Sequence, residues 1–205
     1  MTAMRFFVLP VVSLFLLAGP VLAEDLAAAP SDNASAEQAA TSLTTPAERL
    51  NSLFVELKRE NDPNEARDIA ERIRLEWLDS GSATINLLMQ WADKAMAENK
   101  NAIALDFLDE AILLAPGYVE GWNRRATLHF KMGNYRKSMA DINQVLAIEP
   151  RHFGAIAGLA AILTSAGKDE LALEAWQRFL DIYPSERQAQ EQLGELAEKL
   201  AGKRT

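Results

Sequence analysis

Only two side chains in this sequence have an ordinary pKa near neutrality, His129 and His152. A zinc site needs three or four ligands, and no second histidine lies one helical turn from either. His129 falls at a packing position and His152 at a helix start. Carboxylate pairs such as Asp106 and Asp109 are ordinary on a solvated helix face. The sequence has no glycine-rich phosphate loop and no Gly-x-Ser-x-Gly elbow. With no cysteine, thiol catalysis and thiolate metal sites are excluded. These residues point to a non-catalytic chain that uses no cofactor and no metal.

The chemistry that remains is recognition. Glu120, Asn123, Arg124, Thr127 and Lys131 form a polar stripe at helical spacing, opposite Trp122 and Ala126. Arg124 and Asn123 can hydrogen-bond the carboxylate or main chain of an extended peptide. The matching stripe on an earlier helix is Asn86, Met89, Gln90, Asp93 and Met96, softer because of its methionines. On a later helix it is Gly154, Ala157, Gly158 and Ala161, almost bare of side chains. That bare strip fits either close approach of a ligand backbone or close packing of helices. A plain solvated face is the alternative for the whole stripe.

These stripes match because the chain repeats. Pro116, Pro150 and Pro184 stand 34 residues apart. Small residues keep the same step at Ala92, Ala126 and Ala160, and at Ala104, Ser138 and Ala172, and bulky ones at Leu108, Ile142 and Trp176. A period of this length fits two helices of about a dozen residues and two short turns. Each small residue marks where one helix lies close against another, and each proline where a second helix stops.

The middle unit carries Trp122, Ala126, Gly133-Asn134-Tyr135, Ser138, Ile142 and Pro150. It resembles the tetratricopeptide repeat (TPR) family in its series of Trp, small residue, Gly-x-Tyr, small residue, bulky residue and Pro. The next unit keeps Ala160, Gly167, Ala172, Trp176 and Pro184, with Asp169 where the aromatic is expected. The preceding unit keeps Ala92, Ala104, Leu108 and Pro116, with Asn99 and Asn101 in place of the glycine and the aromatic. The resemblance implies an all-α fold, a right-handed α-α superhelix whose first helices line a concave side. It also implies a protein or peptide partner in that groove. Arg125, with Asp141 one helix later, resembles a subset of repeats with an Asn-x-Arg-Gly/Ala motif, which implies an ion pair within the repeat. The carboxylate clamp of chaperone-binding members is incomplete, because Asp93, Ala157 and Ala161 spoil its array of Lys, Arg and Asn.

Residues 1–23 have one charge, Arg5, then an apolar stretch from Phe6 to Ala18 and a small-residue site at Val21-Leu22-Ala23. This predicts a cleavable secretory signal and a periplasmic location, with no membrane insertion after cleavage. An uncleaved anchor is the alternative. Loss of Arg5 takes the net charge from −8 to −9, a balance that disfavours nucleic acid and anionic lipid. Residues 24–44 are rich in Ala, Ser, Thr, Asn and Pro, which predicts a disordered tether. The Asn33-Ala34-Ser35 triplet within it is read as a chance match to a glycosylation acceptor.

Thr45-Pro46-Ala47-Glu48 and Asp62-Pro63-Asn64-Glu65 open two further helices. This pair, residues 45–84, is expected to be a divergent hairpin covering the N-terminal end of the stack. Repeats follow at 85–118, 119–152 and 153–186. Ser185 is expected to cap a final helix within 187–205 that closes the other end. Trp77, Trp91, Trp122 and Trp176 are all expected to face inward, and Gly133 to shape a turn. The competing function is self-association through convex or terminal surfaces. If Trp122 is buried, its truncation to Ala is expected to cost about 3–5 kcal/mol, as measured by chemical denaturation.

Overall fold

The first two helices begin as their caps require. Thr45 and Glu48 form a reciprocal capping box at the start of α1 (Pro46–Arg59), with N···O distances of 2.7 and 3.2 Å. Asp62 accepts from the backbone N–H groups of Asn64 and Glu65 at 2.8 and 3.1 Å and starts α2 (Pro63–Leu78). A computed structural model describes residues 45–202, which lie within one compact unit, Leu43–Thr205. The expected signal and tether, and the Asn33 triplet, lie outside the described residues.

Three helix pairs follow: α3 (Ala83–Ala97) with α4 (Asn101–Leu114), α5 (Val119–Lys131) with α6 (Tyr135–Ile148), and α7 (Phe153–Ser165) with α8 (Asp169–Ile182). A last helix, α9 (Arg187–Gly202), packs on α8. Among the described residues there is no strand. The turn inside each pair needs one left-handed residue. Gly133 and Gly167 supply it at φ 72° and 69°, and Asn99 takes the same conformation at φ 57°. Asparagine bears that geometry better than most side chains, so loss of the glycine does not change the turn.

Close packing within and between pairs rests on small side chains. Ala92, Ala104, Ala160 and Ala172 are fully buried, and Ala126 and Ser138 nearly so. The Ser138 hydroxyl donates to the carbonyl of Ala126 at 2.8 Å, so its burial leaves no unmet donor. At α9 the cap differs from expectation. The Glu186 carboxylate accepts from the Ala189 N–H at 2.6 Å, while the Ser185 hydroxyl is buried without a partner. The helix starts at Arg187, one residue later than a Ser185 cap requires, so the glutamate reaches the free N–H instead.

The α1–α2 hairpin does not cover the N-terminal end of the stack. It lies along the connections between repeats, where each second helix hands over to the next first helix. The Tyr118 hydroxyl donates to the Leu78 carbonyl at 2.9 Å. Trp77 stacks on His152 with ring centroids 4.1 Å apart and leans on Phe153 at 5.1 Å. The Arg151 guanidinium sits 4.1 Å over the Phe54 ring and donates to Asn51 at 2.9 Å. Leu53, Phe54, Leu57, Ile73 and Trp77 thus join one buried cluster with Phe153, Phe179 and Tyr183. The aromatic residues after Pro116 and Pro150 and before Pro184 offer the hairpin an apolar surface. That is why it docks there.

Two expectations about tryptophan change as a result. Trp91 is 45% exposed, because none of the described residues lies over the outer side of α3 and α4. Trp122 is only half-buried. Its indole N–H donates to the Pro116 carbonyl at 2.9 Å and its ring lies 4.9 Å from the Arg125 guanidinium. The large aromatic penalty therefore belongs to Trp77, which is 6% exposed. We expect Trp77→Ala to lower stability by about 3–5 kcal/mol in urea denaturation, and Trp122→Ala by less.

Candidate partner-binding groove

The first helices α3, α5 and α7 present their polar stripes side by side, but most of the polar groups are already engaged. Asn86 accepts from the Ser80 hydroxyl at 2.6 Å and from its backbone N–H at 3.2 Å, which fixes the link between α2 and α3. Met89 is buried at 6% exposure, and only Gln90 of that stripe is fully open. Asp93 is ion-paired with Arg124, which joins the first repeat to the second.

Glu120, expected at the groove surface, is instead 5% exposed. It accepts from Asn123 Nδ2 at 3.0 Å and meets His152 Nε2 at 3.1 Å, with Arg124 Nε at 3.7 Å. His152 in turn accepts the Ala155 N–H on Nδ1 at 3.0 Å, capping α7. That bond leaves Nε2 to carry the proton and donate to Glu120. Burial pushes the Glu120 carboxyl up, but the His152 and Asn123 bonds and the Arg124 charge outweigh it and hold the group below the usual glutamate range. Arg124, named as a peptide-binding residue, is thus occupied by Asp93 and Glu120. Its charge is neutralised within the stack.

Arg125 faces away from the groove. It donates to Asp141 through Nε and Nη2 at 2.9 and 2.8 Å, and to Asp109 of the preceding repeat at 2.6 Å. These carboxylates hold its proton more firmly than water would. Thr127 and Lys131 are exposed, with the Thr127 hydroxyl donating back to the Asn123 carbonyl at 2.9 Å. His129 is buried in the packing layer, where burial pushes its pKa down. No group of three or more His, Cys, Asp or Glu residues suited to a metal ion exists among the described residues.

The open part of the inner face lies further along. Gly154, Ala157, Gly158 and Ala161 of α7 line a cavity of about 600 Å³ with Phe153, Trp176, Phe179 and Tyr183. Its rim is polar: Arg74 from α2, and Glu186, Gln188 and Gln192 around the start of α9. A second hollow, of about 370 Å³, lies between α2 and the starts of α5 and α7, with Glu71, Arg74 and Trp77 on its hairpin side. The docked hairpin therefore forms one wall of the groove. Arg74 is ion-paired with Glu71 and sits 5.0 Å over the Phe153 ring. The sequence gives Arg74 no mark, because only the hairpin's placement brings it to the groove.

Comparison with known proteins agrees with this geometry. No family model matches the chain. A TPR repeat-containing protein of Rhizobium etli is 61% identical over 205 residues, covering both chains completely. The chain belongs to the tetratricopeptide repeat proteins. Among solved structures, the first TPR of Spaghetti (RPAP3), bound to an HSP90 peptide, is similar at a TM-score of 0.55 and 21% identity. That match covers 58% of this chain and 95% of that one. The Sgt2 TPR domain from Aspergillus fumigatus is similar at a TM-score of 0.55 and 18% identity, covering 60% and 84%.

Two outcomes follow from the buried charges. Removing Arg125 as Arg125→Ala strands Asp141, itself 5% exposed, and is expected to cost about 3 kcal/mol in denaturant unfolding. Glu120 has a folded pKa below its unfolded one, so its contribution is full above the ordinary glutamate range. It is lost as pH falls through the lower, folded value. Unfolding followed from pH 7 to pH 3 should show this acid loss in wild type and a shallower slope in Glu120→Gln.

Proposed function

We propose that this protein is an exported, non-catalytic interaction scaffold of the bacterial periplasm that holds an extended segment of a partner protein in its groove. The observation that carries the reading is the bed of Gly154, Ala157, Gly158 and Ala161, backed by Phe153, Trp176 and Phe179. A bed without side chains lets a peptide main chain approach closely, while the aromatic floor receives its apolar side chains. Gln188 and Gln192 at the rim can pair with the peptide's amide groups. The Spaghetti TPR, similar in fold, holds an HSP90 peptide with the sequence SRMEEVD, which supports a peptide as the occupant.

The partner is unlike that acidic peptide. Arg124 is taken up by Asp93 and Glu120, and no lysine or arginine stands at Ala157 or Ala161 to meet a terminal carboxylate. The groove favours an internal, partly apolar segment. Export rests on the leader-like residues 1–23, and no helix among the described residues is long and apolar enough to cross a membrane.

Capture from envelope extract tests the groove. Ala157→Arg and Ala161→Glu, which fill the bed, are expected to lose at least tenfold of the partner recovered by wild type. Identical partners at identical yield from all three proteins, and from Arg124→Glu, would remove the inner face as the binding surface.

A further inference from the structure

The outer side of the first repeat is an apolar face with no cover among the described residues. Leu87 and Trp91 on α3 are 42% and 45% exposed, and Ile103 and Leu114 on α4 are 47% and 54% exposed. Phe107 joins them, half-buried, with its ring 5.4 Å from that of Trp91. One and two periods later, the places of Leu87 and Phe107 are held by Gly121 and Asp141, then by Ala155 and Ala175. All four are buried. What buries them is the preceding repeat: a Cβ on Gly121 would lie 3.2 Å from Ile112 of α4. Among the described residues the first repeat has no predecessor, and the hairpin that could have served as one is docked elsewhere. The face is therefore shaped to receive a pair of helices.

We propose that this face pairs with the same face of a second copy, forming a twofold dimer through the N-terminal ends of two stacks. Its charges select that occupant. Lys94 lies on the face where the later repeats bury Leu128 and Ile162, with Glu98 of its own helix one turn along, so a cover that brings a further anion is favoured. The neighbouring helix carries exposed anions, Asp106 and Glu110, while Glu98 and Lys100 at the turn are ion-paired with each other at 2.6 Å. A twofold axis running along the helices sets α3 of one copy against α4 of the other. Trp91 then meets Phe107 of the second copy, and Lys94 meets Asp106 of the second copy. A head-to-tail filament is disfavoured, because α9 closes the other end with exposed Glu191, Glu195 and Glu198.

Two helices of this length make a face of roughly 22 by 20 Å, or about 900 Å² for two copies. That is below the usual size of a stable interface, so the dimer is weak and concentration-dependent. It uses neither the groove nor the hairpin, so it stands or falls apart from the proposed function.

Sedimentation velocity of the full chain from about 1 to 200 µM tests it. Wild type is expected to shift from monomer to dimer across that range. Trp91→Glu and, independently, Leu87→Lys are expected to remain monomeric with unchanged melting temperatures, since both positions are exposed. Because the chain has no cysteine, Lys94→Cys mixed with Asp106→Cys reads the geometry directly. The mixture is expected to oxidise to a hetero-disulfide faster than either protein alone forms its own. A wild type that stays monomeric to 200 µM overturns the proposal. So does a dimer that forms equally in Trp91→Glu and Leu87→Lys, or a mixture with no preference for the hetero-disulfide.

Discussion

Where two helices of this stack cross, there is room for a methyl or a hydroxymethyl group and little more. Ala92, Ala126 and Ala160 hold that place on the first helices, and Ala104, Ser138 and Ala172 on the second. A leucine at any of these positions would push two backbones apart by a side chain's thickness and misalign every contact beyond it. Regular stacking follows from that restriction. It also leaves the larger residues, Leu108, Ile142 and Trp176, to fill the spaces on either side.

Polar groups inside the stack act as ties between neighbours. Asp93 to Arg124 links the first repeat to the second, Asp109 to Arg125 does the same on the other side, and Glu120 to His152 ties the start of α5 to the cap of α7. Buried Asp141 is paired with Arg125 inside its own repeat and buried Asp169 with Lys199 of α9, and unpaired charges at such depth are strongly destabilising. The polar stripe that looks like a ligand surface in the sequence is largely this internal wiring. On the inner face, the bare strip of α7 and its aromatic floor stay open, with Gln90, Thr127 and Lys131 exposed on the stripes beside them.

Much of the architecture could be read from residue order alone, because a repeat writes its geometry locally. The caps at Thr45 and Asp62, the Gly133 turn and the proline stops all act within a few residues of themselves. The pairing of Arg125 with Asp141 is implied by the resemblance to a subset of these repeats, and the structure holds it at 2.8 and 2.9 Å. The hairpin's position could not. It depends on Trp77 finding His152 and Phe153, and on Phe54 finding Arg151, contacts between segments with no shared periodicity. The same gap hid Arg74 from the site and placed Trp91 on the inside when it is outside. Glu120 was misread for a related reason: its spacing matches the groove, but its depth is set by His152, 32 residues away.

The hairpin also changes how the molecule must come apart. In an open solenoid each unit touches only its neighbours, so the end units can fray one at a time. Here the bond from Asn51 to Arg151 spans 100 residues and fastens the first helix beside the third repeat. Loosening the third repeat therefore exposes the underside of the hairpin, and releasing the hairpin uncovers the aromatic connections of two repeats at once. The array behaves less like a chain of beads than like a spring clipped along one edge, melting as a single cooperative body.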